Sequence, residues 1–379
     1  MNTFISMVKE MTHKQIRFLV LIGLCFIFSM FFVHNNYSFY DKPIAKVIHT
    51  ELQETTEITD MNNNKDHKFT QLIVAKLKNG EHKGELIHLI NEYSYSGAYD
   101  QQYRVGNNLF VSIDPVQEED ATLSGIITNV KRDQSVLFIV WIFMFILLFV
   151  GRKQGMLALI SMAVNVALLS FALDIYITYP SVSLLVICGI SGIVFTVISL
   201  LVVSGLNEKT YAAVLSTLLG TFISMCIAYA VICFTAGNGL RYEEMQFLTR
   251  PYEMVFLAGL LIGSLGAVMD VAITMSSSLF ALYEQNKEIS VKALKVSGIE
   301  IGKEIMGTIT SILFFAYISG SIPVIILYLK NASLLGFTLS MNLSLELARA
   351  LVGGIGIVLT IPIGLYISIY FVNRKRASS

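Results

Sequence analysis

Charge is scarce in this chain. Asp, Glu, Lys and Arg make up 14% of its 379 residues, against about 25% in a globular protein. Much of the chain is therefore built to stay out of water. Basic and acidic residues balance at 27 each, which removes the positive field expected of a nucleic-acid binder. Only four cysteines occur, Cys25, Cys188, Cys226 and Cys233, all inside apolar runs and none at zinc-ligand spacing. They exclude a disulfide framework and read as small hydrophobes in packed helices. The last histidine is His88. The long apolar remainder thus has no imidazole base, no Gly-x-Ser-x-Gly and no Walker motif. No enzyme activity, cofactor or metal is expected; His82 and His88 stand without further ligands.

Long hydrophobic runs are abundant. Eight cover 18–33, 135–150, 155–177, 182–204, 211–235, 253–282, 307–329 and 345–372. At 1.5 Å per residue each reaches or approaches the span of an about 30 Å hydrocarbon layer. The fold expected is an α-helical integral membrane bundle of about eight crossings. Residues 1–33 form a cytoplasmic N-terminus and signal anchor, and 135–379 a seven-helix core with a cytoplasmic C-terminus. The segment between, 34–134, is the one long polar stretch. It holds ten basic and fifteen acidic residues, net −5. Short β-branched runs at 44–52, 69–77, 85–91, 108–113 and 123–130 read as strands. Lys78-Asn79-Gly80 and Gly106-Asn107 supply turns. Five short strands suggest a small extracytoplasmic β-barrel-like domain of the OB type.

Within the core one acid stands out. Asp270 lies in the run 253–282, and at helical spacing Gly259, Gly263, Gly266 and Thr274 share its face. Such a stripe is expected to press against protein. A lone acid there costs about 2.5–3.5 kcal/mol and calls for a partner or a wet cavity, so Asp270 is the candidate proton or cation coupling group. Gly192 and Thr196, Thr217 and Gly220, with Asn165 and Tyr317, are candidates for a pathway or for helix packing. Pro323 marks a break or an end in its helix. Lys209-Thr210 before Gly220-Thr221 parallels Lys303 before Gly307-Thr308, a weak internal similarity. The stretch 291–306 alternates Lys and Glu with apolar residues, as an interfacial or docking helix would.

Three stretches carry a resemblance: GLLIGSLGAVMDVAITMSSS at 259–278, GIEIGKEIMGTITSILFFAYISGSIP at 298–323, and Gly205-Leu206-Asn207-Glu208-Lys209-Thr210. Together they resemble the YibE/F family of bacterial multi-pass membrane proteins, from about residue 44 to the C-terminus. The family often shows Arg where Lys303 stands, which puts a bidentate role there in doubt. The resemblance implies the fold, the bacterial cytoplasmic membrane, and pairing with a paralogous YibF-like bundle or another copy. It brings no reaction, substrate or cofactor. Asn207, Lys209, Thr210, Lys303, Gly307 and Thr308 form the expected cytoplasmic motif. Transport coupled through Asp270 is one expectation, and a non-transporting subunit of a membrane complex is the other; lipid is a partner in both and nucleic acid in neither.

Charge placement orients the runs. With the N-terminus inside, thirteen Lys and Arg fall on the inner side and four on short outer segments, the positive-inside asymmetry. In intact cells an impermeant thiol reagent should label Asn63→Cys and spare Ser379→Cys. The opposite pattern would invert the topology.

Overall fold

The computed structural model describes residues 13–97, 100–115, 123–179, 181–245 and 251–378. Expectations that fall on 1–12, on Arg250 or on Ser379 lie outside them. The chain divides into two compact units, Met1–Phe149 and Val150–Ser379.

The first unit begins with helix α1, His13–Asn35, and a short 3-10 turn, Asn36–Phe39. Five strands follow: β1 Ile44–Thr59, β2 Lys65–Leu77, β3 Leu86–Ser94, β4 Asn108–Ile113 and β5 Leu123–Val130. Helix α2, Asp133–Thr178, starts in this unit. Every strand has two neighbours. β1 pairs with β2 and β4, β2 with β3, and β4 with β5, all antiparallel, while β3 and β5 are parallel. Alternation sends Ala45, Val47, Ile73, Ala75, Ile87, Leu89 and Leu109 into a shared core, as the period of two requires. Gly80 and Gly106 take φ of 81° and 96°, the left-handed turns their glycines foretell. Asn79 fixes the start of the sheet: its Oδ1 accepts from Ile44 N at 2.6 Å, and its Nδ2 donates to Tyr40 O and Lys42 O.

β1 and β2 run longer than expected. Their outer halves form an arm in which β1 is exposed almost throughout and β2 is exposed or half-buried, with no apolar alternation to read. The arm closes at a turn where Asn64, through its side chain and backbone N–H, and Asn62 donate to Asp60 and hold its carboxyl below the usual range.

Helix α1 packs on the first part of α2. Trp141 Nε1 donates to Ser29 Oγ at 2.9 Å, and Phe26 meets the Trp141 ring edge-on at 5.5 Å. Where α1, β1 and α2 converge, Lys131 is the hub, with a side chain only 3% exposed. It donates to Val33 O at 2.9 Å and Asp133 Oδ1 at 2.8 Å, and it lies over the rings of Tyr37 and Tyr40. Asp133 also accepts from Tyr40 Oη at 2.8 Å and Asn36 Nδ2 at 3.2 Å.

The second unit is helical. It holds the rest of α2, then α3 Leu184–Ser204, α4 Glu208–Thr235, α5 Tyr252–Gln285, α6 Val291–Ser319, α7 Ile322–Lys330 and α8 Leu335–Ser378. α5 and α8 form its centre, where Val271, Met275, Leu279, Leu294, Ile357 and Val372 are fully buried. Among the described residues seven helices are long and apolar enough to cross a membrane, and one of them, α2, takes in two of the apolar runs. The second and third apolar runs are joined in the 46-residue α2, in which Arg152 alone leaves helical angles (φ 46°, ψ −122°). The charged pair Arg152-Lys153 interrupts the apolar pattern and sits at a kink where two helical stretches meet. Near the other end of the unit the run 307–329 is broken: α6 stops at Ser319, and Pro323 sits in the first turn of α7, where its missing N–H costs nothing. Of the cysteines only Cys188 is buried; Cys25, Cys226 and Cys233 lie on outward faces rather than in packing.

Removing the ammonium from the Lys131 hub leaves a largely buried carboxylate without its counter-charge. Lys131→Met should lower stability by up to about 3 kcal/mol. A thermal-unfolding midpoint equal to that of the parent would show that the cluster does not hold the first unit together.

Candidate functional site

Asp270 does not press into the bundle. The buried face of α5 is Phe256, Leu260, Leu265, Val268, Ala272 and Met275, among others; Gly259, Gly266, Asp270 and Thr274 lie on the exposed side. A Cβ at Gly259 or Gly266 would meet nothing within 4 Å. Among the glycines of the stripe the expected contact is made at Gly263, where an added Cβ would overlap the Tyr317 hydroxyl of α6, and Ala267 beside them packs against the core. The apolar residues flanking the stripe pack against α3, α4 and α8, and that leaves the small face open.

Asp270 lines a groove of about 480 Å³ between α2, α3 and α5. Asn165, Ser161, Ser199 and Ser204 share it with apolar neighbours that include Met162, Phe195 and Met269. Asn165 Nδ2 donates to Ser199 Oγ at 2.6 Å. Its Oδ1 is buried without a hydrogen-bond partner. Asp270 makes no hydrogen bond or ion pair among the described residues. The groove thus places an unpartnered carboxylate and an unpartnered amide oxygen in one cleft with a shared need for a donor. A proton on Asp270, or a small cation, supplies what both lack.

The other candidates separate from this cleft. Gly192 is buried in ordinary contact with Leu265. Thr196 Oγ1 donates to Gly192 O and Thr217 Oγ1 to Ala213 O, each at 2.8 Å. Both hydroxyls are spent on their own helix. A Cβ at Gly220 would overlap Thr360 Oγ1 of α8. The GLNEKT turn is helix-terminal chemistry. Gly205 ends α3 at φ 78°, and Asn207 caps α4, accepting from Thr210 N at 3.0 Å and Thr210 Oγ1 at 2.9 Å. Lys209 lies in the first turn of α4, while Lys303, Gly307 and Thr308 lie on the exposed face of α6. The two halves of the expected motif therefore occupy different helices.

Two features escaped the sequence reading. One is the glycine face of α8, where Gly353 meets Leu313 and Gly356 meets Val268; the signal was Gly353-Gly354-Ile355-Gly356 inside an apolar run. The other is Gly298 and Gly302 of α6, which meet Leu365 and Ile361 and have small-x-x-x-small spacing.

Two family profiles match the chain. One is described as YibE/F-like protein, over residues 139–374, and the other as YibE/F family N-terminal domain, over residues 38–130. Searches of curated proteins and of solved structures match nothing.

The contrast between neighbouring glycines of α5 is testable. Gly263→Leu should cost about 1–3 kcal/mol by forcing Tyr317 aside, whereas Gly266→Leu should change the stability of the single chain by about 0.5 kcal/mol or less. Thermal unfolding in detergent reads both. Equal losses would mean that the face around Gly266 is packed.

Proposed function

This chain belongs to the YibE/F family, and from that footing and the groove around Asp270 we propose that it is a permease-like membrane protein in which Asp270 binds a proton or cation. The observation that carries the reading is the unpartnered carboxylate facing a cleft that also holds the unpaired Asn165 Oδ1. An acid in an apolar helix costs about 2.5–3.5 kcal/mol on insertion, and no described partner offsets it. Protonation or a bound cation does. A group that gains and loses charge within the bundle is what a coupled carrier requires.

The surrounding reading follows the charge asymmetry. The protein sits in a bacterial cytoplasmic membrane with both termini inside, and the two apolar runs of α2 make separate crossings about the Arg152 bend. The five-stranded sheet is an extracytoplasmic OB-like barrel, in keeping with its pairing order β1-β2-β3-β5-β4. The chain acts without enzymatic chemistry, resident cofactor or nucleic acid.

A second reading rests on the open stripe. Gly259 and Gly266, with nothing within 4 Å, suit a helix from another subunit. The chain would then be a non-transporting subunit, paired with a YibF-like bundle or another copy, with its β domain on an envelope partner.

Complementation of a deletion strain separates the readings. Asp270→Asn keeps shape and hydrogen-bonding capacity and removes the charge. Under the coupling reading it should express normally and abolish activity, with Asp270→Leu at least as damaging. Full activity of Asp270→Asn would discard the coupling role and leave the subunit reading.

A further inference from the structure

A second cleft lies at the break between α6 and α7. It has a volume of about 490 Å³, and its polar lining is Glu244, Gly320, Ser321, Asn342, Glu346 and Arg349. We propose that this cleft binds a small zwitterion of the amino-acid class, its carboxylate on Arg349 and its ammonium on Glu244 and Glu346.

The ion pair in the cleft is not there to join elements. Glu346 and Arg349 lie one turn apart on α8 and bond to each other, so the bond between them joins no two elements. Both are mostly buried, with side chains 22% and 23% exposed. Such pairs do little for stability against an apolar replacement, and charges inside a membrane bundle mark functional places. The guanidinium is held in position. It stacks over the buried ring of Phe256, 5.6 Å from the centroid, and only its Nη1 is engaged, by Glu346. A guanidinium has five N–H donors in a planar fork, so an edge remains for a carboxylate.

The rest of the cleft supplies the opposite sign. Glu244 has no hydrogen bond or ion pair for its carboxylate among the described residues. Asn342 uses its Nδ2 on Thr338 O, which leaves its Oδ1 to accept. The charged lining is one guanidinium against two carboxylates. A simple anion reaching Arg349 meets both carboxylates, and a simple cation reaching Glu244 meets the guanidinium. One molecule carrying both charges a few atoms apart satisfies each group. The junction contributes as well: Gly320 and Ser321, both at right-handed helical angles, bring the N-terminal end of α7 to the wall, and that end favours negative charge. Met245, Val324 and Leu345 complete the wall with apolar surface, where an aliphatic side chain fits.

The site is independent of Asp270, so binding without any ion gradient tests it. Full-length protein purified in detergent is titrated by calorimetry with glycine, L-alanine and L-leucine. The matched single-charge probes are 4-methylpentanoate and 3-methylbutylamine. At least one amino acid should bind saturably, with each single-charge probe weaker by about tenfold or more. Arg349→Lys keeps the charge and loses the fork, and Glu244→Gln removes one acid. Each should weaken binding by about tenfold, with the ligand-free unfolding midpoint serving as the check that the variant is folded. The proposal is overturned if no amino acid binds, if 4-methylpentanoate binds as well as L-leucine, or if both folded variants bind as the parent does.

Discussion

Apolar side chains give helices no reason to prefer one another over lipid, so association within a bundle depends on how closely backbones approach. The second unit solves this on α8. Gly353 and Gly356 admit Leu313 and Val268, Gly220 of α4 admits Thr360, and Gly298 and Gly302 of α6 admit Leu365 and Ile361. Each contact replaces a side chain with a neighbour's methyl or hydroxyl, which brings α4, α5 and α6 against one helix. The hydroxyls at these seams do not compete for outside partners: Ser216, Thr217 and Thr360 each donate to a carbonyl one turn back in their own helix. The Ser276–Ser368 bond joins α5 to α8 at 3.1 Å. A dense centre is the result, with the buried Thr221 and Thr310 hydroxyls as its exceptions among the described residues, and the clefts are what remains at its margins.

The charged groups of the helical unit are distributed accordingly. At one end Arg376 donates to the carbonyls of Lys287 and Ile289 and lies over Tyr283, while Lys375 pairs with Glu284. These contacts fasten α8 to the α5–α6 connection and answer for their own charges. Asp270 has no described partner, and Arg349 is held by Glu346 of its own helix and by the Phe256 ring of α5. They stand on α5 and α8, the two most rigidly packed helices. A site on such elements keeps its geometry when a ligand or proton arrives.

The legibility of the fold differed between the two units for a physical reason. In the β domain one face meets water, so alternation carries the answer: β4 and β5 have the bounds the residues indicated, and the glycine turns lie where expected. The outer extensions of β1 and β2 and the end of β3, which runs on to Ser94, escaped. In the helical unit the outer surface and the interior are both apolar, and periodicity tells which residues share a face without telling what the face meets. The Gly259–Gly266 stripe was legible as a stripe; that it lies open while the glycines of α8 make the seam was not. Arg152 shows the same limit in the backbone. A charged pair between two apolar runs reads as a loop, whereas the two helical stretches meet at a kink with one non-helical residue, Arg152. Asp270 was legible because its cost stands out against its neighbours, whereas the Arg349 cleft was assembled from Glu244, Ser321 and Asn342, which are unremarked singly.

The open stripe and the Asp270 groove are parts of one surface, and this links the two functional readings. Gly259, Gly266 and Thr274 continue the face that carries Asp270. A helix laid along that face would approach closely at the glycines and would cover the carboxylate. Covering it removes whatever polar surroundings it has in the single chain and raises the cost of its charge. A proton or a small cation on Asp270 would then be the partner that the covered face lacks, and Asn165 Oδ1 is the unpaired acceptor in the same cleft. Assembly and proton binding would be linked through the same residues, with each favouring the other by the same free energy. A subunit interface on α5 is therefore compatible with a coupling acid on α5. What distinguishes the readings is whether the charge of Asp270 is ever needed once the face is covered.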